Sequence, residues 1–290
     1  MSNIVKVSNA IESRESLPIR YDLYLPSQPK SALPVLLFLH GFKGFKDWGP
    51  FPSACEELAR DGFGVVAFNF SHNGVGENLL EFERLDLFER QTLSRDLDDV
   101  GSVIEAIKTG KIGSDRARLN SDRIGVIGHS RGGHTAVSAA AEYPEIQSLV
   151  TWSSVADYNA RWSEKMLDDW KRQGYTEIEN ARTGQIMRVG REVYEDAIGN
   201  KERVIALERV RELHLPALFI AGREDEAVSW KDSEQLYKSC PSDIKELKVI
   251  PGTGHTFGAA HPFEEEEYPD PFADVLDTTS DWFADHLAGH

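Results

Sequence analysis

The stretch of the chain with the clearest chemical potential is Gly128-His129-Ser130-Arg131-Gly132-Gly133, a serine set among glycines. It follows the apolar run Ile124-Gly125-Val126-Ile127 and opens an Ala-rich, helix-like segment from Gly132 to Tyr143. G-x-S-x-G at a strand-to-helix turn presents a hydroxyl at the carboxyl edge of a sheet. The turn holds its serine in a strained backbone conformation, and side chains at the flanking positions would collide with the neighbouring strand and helix. The helix that follows aims its unpaired amides at developing negative charge.

A serine hydroxyl is a weak nucleophile until a base takes its proton, and that base needs an acid to orient it. Both residue types occur downstream, in loops that follow apolar runs. Ala217 to Ala221 leads into Gly222-Arg223-Glu224-Asp225-Glu226-Ala227-Val228, where Asp225 is the expected acid and Glu224 and Glu226 are rivals by spacing alone. Leu247 to Ile250 leads into Pro251-Gly252-Thr253-Gly254-His255-Thr256-Phe257, a flexible loop able to swing an imidazole toward the serine. His255 is the expected base, with His261 as a lower-ranked substitute. Such a reaction also needs two backbone donors where a carbonyl oxygen gains charge, together worth several kcal/mol at about 3 each. The Arg131 amide after the serine is one; Phe42, in His40-Gly41-Phe42-Lys43-Gly44 at a strand exit, is the other. His40 is expected to support that loop rather than react.

Around these residues lie short apolar runs bounded by Gly, Pro, Asn and Asp, the mark of buried parallel strands that would hold the loops in place. They are Pro34–His40, Gly64–Phe70, Ile124–Gly128, Leu149–Ser153, Ala217–Ala221 and Leu247–Ile250. Helical spacing predicts crossovers over Phe51–Asp61, Leu87–Lys108 and Gly132–Tyr143, with a last helix over Ser280–Leu287. This alternation predicts an α/β fold with a mostly parallel, doubly wound sheet. Ile4–Ala10 and Ile19–Leu25 alternate without a helix between them and are expected to form an antiparallel hairpin at the sheet edge. Residues 155–213 break the pattern: they are charged, carry Tyr158, Trp162 and Trp170, and read as several amphipathic helices rather than strands. The expected organisation is a core of residues 1–154 and 214–290 with a helical cap insertion at 155–213. Trp152, Tyr158 and Trp162 are candidate substrate contacts, and anchoring the cap to the core is their alternative role.

With 48 acidic against 32 basic residues the net charge is −16, which opposes binding to phosphate backbones and anionic membranes. Nucleic acid and membrane are therefore not expected partners; a small-molecule ester is, and a homodimer is allowed. Cys55 and Cys240 lack CxxC spacing or a companion His cluster, so no metal site is expected, and neither is a cofactor. Glu264 to Glu267 beside His261 read as a solvated acidic run, and Asn69 to Gly76 as a loop near the site rather than a phosphate cradle. The start Met1-Ser2-Asn3-Ile4-Val5-Lys6 lacks a signal-peptide pattern and no apolar run suits a bilayer, so a cytoplasmic location is expected.

Taken together, His40-Gly41-Phe42, Gly128-His129-Ser130-Arg131-Gly132, Asp225 and His255 stand in the order found in the α/β-hydrolase superfamily, which the chain resembles along nearly its whole length. The Gly222–Val228 loop and the insertion before its strand are similar to bacterial serine carboxylesterases of the cinnamoyl or feruloyl type and to dienelactone-hydrolase-like proteins. The resemblance implies Ser130, Asp225 and His255 as a triad, Phe42 and Arg131 as the oxyanion hole, and a cap that roofs the pocket. Dienelactone hydrolases carry cysteine at the elbow where this chain has Ser130, so their specific activity is not implied.

Overall fold

A computed structural model of the chain describes residues 4–29, 31–114 and 117–287. Strands β1 (Ile4–Glu12) and β2 (Pro18–Pro26) form the expected antiparallel hairpin, and β2 pairs antiparallel with β4 (Gly64–Phe68). The rest of the main sheet is parallel: β3 (Leu33–Leu39), β4 (Gly64–Phe68), β5 (Leu119–His129), β6 (Ile146–Trp152), β9 (Ala217–Gly222) and β10 (Lys245–Ile250). Its spatial order is β1-β2-β4-β3-β5-β6-β9-β10. Helices α1 (Phe51–Arg60), α3 (Leu93–Lys108), α4 (Arg131–Glu142), α9 (Trp230–Ser239) and α10 (Asp270–His286) cover it.

The period-two geometry of a strand sorts the sheet's side chains onto two faces. Leu37 and Leu39 of β3 join Val126, Leu149 and Phe219 against α3, α4 and α9. Leu36 and Phe38, the alternate residues, join Ile127, Val150 and Ile220 against α1 and α10. Each fully buried aliphatic side chain contributes roughly 1.5–3 kcal/mol, so both faces are firmly held.

Two elements differ from the sequence expectation at their ends. The helix predicted from Leu87 is interrupted: α2 (Leu85–Phe88) is a single turn, and α3 restarts after Thr92, whose extended backbone and hydroxyl cap the Arg95 N–H. The last helix starts ten residues before Ser280, behind Pro269, with Pro271 in its first turn.

The expectation of helices alone across 155–213 is corrected. After α5 (Glu164–Gln173), β7 (Tyr175–Asn180) and β8 (Gln185–Gly190) form an antiparallel hairpin of their own, followed by α6 (Arg191–Gly199) and two single turns, α7 (Lys201–Val204) and α8 (Ala206–Arg209). The cause is alternation: Thr176 and Asn180, Met187 and Val189 are buried, while Glu177, Glu179, Ile186 and Arg188 face out. The insertion divides in its contacts. Trp170, Met187, Val189 and Val193 cluster with Phe45, Val75, Phe82 and Phe88 from the core's loops. Ala197, Val204, Ile205, Ala206 and Val210 instead join the apolar layer around α4.

Candidate active site

Ser130 directly follows β5 and caps α4 with φ +59° and ψ −116°, a conformation that costs a non-glycine residue on the order of 1–3 kcal/mol. The surrounding chain fixes it: its N–H donates to the Trp152 carbonyl at 2.8 Å and its own carbonyl accepts from the His134 N–H at 3.1 Å. The glycines are needed for approach. A methyl on Gly132 would run into the Leu39 and His40 carbonyls, and one on Gly133 would lie 2.7 Å from Cβ of Ser154. A methyl on Gly41, at the exit of β3, would lie 3.0 Å from Cβ of Ser130, so the His40–Phe42 turn runs directly past the serine.

The loops after β9 and β10 bring Asp225 and His255 together. The ring Nδ1 of His255 meets Oδ2 of Asp225 at 2.7 Å, and the other oxygen, Oδ1, accepts the Ala227 and Val228 N–H groups at 2.8 Å each. Burial raises the Asp225 pKa, but the His255 hydrogen bond and the two amides outweigh it and hold the carboxyl below its usual value. The Asp225 side chain is fully screened, whereas that of His255 is 23% exposed, leaving the imidazole reachable from outside.

The rivals have other tasks: Glu224 accepts the Thr253 N–H at 3.0 Å and so braces the histidine loop, and Nδ1 of His261 accepts the Gly49 N–H at 2.8 Å. His129, next to the serine, packs against His255 with the rings tilted at 51° and their centroids 4.7 Å apart. Burial pushes its pKa down to about 3, so the neutral ring donates from Nε2 to the His255 carbonyl at 3.0 Å. His40 is likewise neutral, its pKa lowered to about 4 by burial; its Nδ1 donates to the Gly41 carbonyl, which fixes the turn leading to Phe42.

The Phe42 N–H meets no protein acceptor among the described residues, and Arg131, as the first residue of α4, has an N–H without an intrahelical partner. The Arg131 side chain shows what sequence reasoning missed. It is buried; Nε donates to Asp96 at 2.7 Å and a terminal nitrogen donates to the Gln91 carbonyl at 2.9 Å. Burial opposes the charge, but Asp96 outweighs it and the guanidinium pKa is raised. The Phe42 and Tyr158 rings lie 5.7 and 5.4 Å from its central carbon, so the guanidinium ties α3, the His40–Phe42 turn and the start of the insertion together. A signal existed: Asp96 is an acid on the apolar stripe of Leu93, Leu97 and Val100.

Of the three candidate substrate contacts, Trp152 is corrected. It is fully buried, its indole N–H donates to Thr279 at 2.9 Å, and its ring lies among Phe38 and Phe272 on the α10 side of the sheet. Tyr158 is buried against His134 and Arg131, and Trp162 is half-buried between Tyr158, Trp170 and Tyr194. Among the described residues no group of three His, Cys, Asp or Glu side chains is gathered as a metal site, and no helix is long and apolar enough to cross a membrane.

The family model for the alpha/beta hydrolase fold matches residues 34–176, and that for serine aminopeptidase, S33, matches residues 201–258. No curated protein matches the chain in sequence. Solved structures align over its length. Est1E from Butyrivibrio proteoclasticus with ferulic acid bound is 20% identical, with TM-score 0.70 over 97% of this chain and 100% of that one. The esterase domain of a Rhodothermus marinus protein is 17% identical, TM-score 0.65, over 98% and 99%. A dienelactone hydrolase from Anabaena variabilis is 18% identical, TM-score 0.60, over 98% and 99%. With an eight-stranded, mostly parallel sheet wound in this order and a strained serine at the turn into α4, the chain has the α/β-hydrolase fold.

Proposed function

We propose that the protein is a serine carboxylesterase, with Ser130 as nucleophile, His255 as base and Asp225 as the acid that orients it. Nδ1 of His255 is engaged by Asp225, so Nε2 is the ring nitrogen left to take the Ser130 proton. The freed oxygen attacks the ester carbonyl, and the Phe42 and Arg131 N–H groups hold the resulting oxyanion. The alkoxide leaves with the proton from His255, and water, activated by the same imidazole, then releases the acid from the acyl-serine. Residues 155–213 act as the cap. The observation that carries this reading is the 2.7 Å contact between a buried carboxylate and a partly exposed imidazole on adjacent loops. The structural likeness to Est1E, solved with ferulic acid, supports aromatic acyl esters as the first substrates to try.

The test is hydrolysis of p-nitrophenyl butyrate and of methyl ferulate. Ser130→Ala is expected to lower kcat by at least about 1,000-fold with the fold intact; near-normal turnover by the folded variant refutes the assignment. Amide cleavage is a second reading, favoured by the match of residues 201–258 to the serine aminopeptidase model. Esters and anilides sharing one acyl group separate the two.

A further inference from the structure

Several basic side chains around the site are neutralised by carboxylates. Lys46 meets Asp22 and Asp47, Arg131 meets Asp96, Arg95 meets Glu15 and Glu192, and Arg203 meets Asp98 and Glu142. Lys43 and Arg182 depart from this. Lys43 directly follows Phe42, has a φ of +56°, and is half-buried; its ammonium donates to the Glu179 carbonyl at the end of β7, 3.2 Å away. Arg182, exposed in the turn between β7 and β8, lays its guanidinium 5.2 Å from the Phe45 ring centre and 6.0 Å from that of Phe82. Among the described residues neither has a carboxylate within 4.0 Å, although the chain holds 48 acidic residues. In both, burial pulls the pKa down and no neighbouring charge opposes it.

Lys43 is partly removed from water without a counter-charge, a standing cost that an anionic ligand would relieve, and the exposed Arg182 beside the same loop is open to the same ligand. Lys43 reaches Glu179 and Arg182 covers Phe45, so both cations bridge the β7–β8 hairpin and the loop that begins at Gly41 beside Ser130. Phe45 gives the guanidinium a flat apolar seat, leaving its N–H edge for a planar anion. His261 lies edge-on to Phe45; burial and the Arg182 charge lower its pKa against the opposing pull of Asp47, so it supplies no compensating charge.

Resting on the esterase reading, we infer that Lys43 and Arg182 bind a carboxylate on the substrate, so that the preferred esters carry an anionic group remote from the bond that is cut. The site selects for charge at the far end of the acyl or alcohol portion, with the reaction at Ser130 unchanged.

The test compares kcat/KM for mono(4-nitrophenyl) adipate and 4-nitrophenyl hexanoate, which match in chain length and differ by one terminal carboxylate. The charged ester is expected to be preferred by about 10-fold or more at low salt, and the preference to shrink as salt screens it. Lys43→Met and Arg182→Met should each lower that ratio several-fold and the double variant should abolish it, while Lys43→Arg should keep it. A wild-type preference for the neutral ester, or variants that leave the ratio unmoved, overturns the inference. Calorimetric titration with free adipate and the neutral adipamide reads the same site without turnover: adipate should bind more tightly to the wild type but not to the double variant, and equal binding overturns the inference. If neither ester is hydrolysed while adipate still shows this selectivity, the esterase reading fails and the anion site stands. A 5-phosphonopentanoate ester preferred over the adipate ester reassigns the pair to phosphoryl groups and overturns the carboxylate.

Discussion

Arg131 serves the site at two levels: its N–H is a proposed oxyanion donor, and its guanidinium, paired with Asp96, holds the ring of Phe42, the other proposed donor. Removing the cation alone leaves a buried carboxylate unpaired, which typically costs 3–5 kcal/mol. Arg131→Met is therefore expected to lose about 3 kcal/mol in urea unfolding and to lower kcat more than it raises KM. Asp96→Asn combined with Arg131→Gln should regain most of the stability but not kcat, and equal stabilities of single and double variants would contradict this. The serine turn at Ser130 and the loop that carries His255 to Asp225 were legible because each is glycine-rich and follows an apolar strand. Asp225 could not be separated from Glu224 by spacing, because the choice is made by the Ala227 and Val228 N–H groups that turn its carboxylate inward. Trp152 was misread because alternation along β6 fixes two faces without saying which one the serine shares.

At the scale of elements, the serine turn depends on how closely α4 approaches β3. Gly132 is the tightest point, since any side chain there meets main-chain carbonyls that cannot swing aside. Gly132→Ala is expected to destabilise by more than about 3 kcal/mol or to prevent folding, whereas Gly62→Ala, in open space but at φ +104°, should cost only about 1 kcal/mol from backbone strain. Comparable melting temperatures for the two variants would argue against close approach as the reason for the glycine. The sheet was legible because parallel strands are buried on both faces and read as unbroken apolar runs. The hairpin of β7 and β8 was not: Tyr175–Asn180 and Gln185–Gly190 hide a period of two beneath charged residues, and the flanking helical stretches dominate the local composition.

For the molecule as a whole, buried neutral histidines set the response to acid. Burial pushes the pKa of His134 down to about 4, as it does for His40 and His72, whereas the unfolded chain titrates near 6.5. Below 6.5 the unfolded state takes up protons that the folded state refuses until about 4, so stability falls as pH drops through that window. His134→Asn, which keeps a donor for the Val155 carbonyl met by Nδ1 of His134, removes one such group. Relative to this variant, the wild type should lose on the order of 3 kcal/mol between pH 7 and 4; parallel urea-unfolding curves at the two pH values would contradict it. The net charge of −16 was read correctly as a number, but its distribution was not legible, because pairing such as Lys46 with Asp22 joins residues far apart in the chain. The decisive measurement is the mass of the folded protein, and of its peptides, after reaction with a fluorophosphonate at neutral pH. One adduct on Ser130, absent from Ser130→Ala and slowed in His255→Ala, is predicted; a folded protein that stays unlabelled, or an adduct elsewhere that persists in Ser130→Ala, would contradict it.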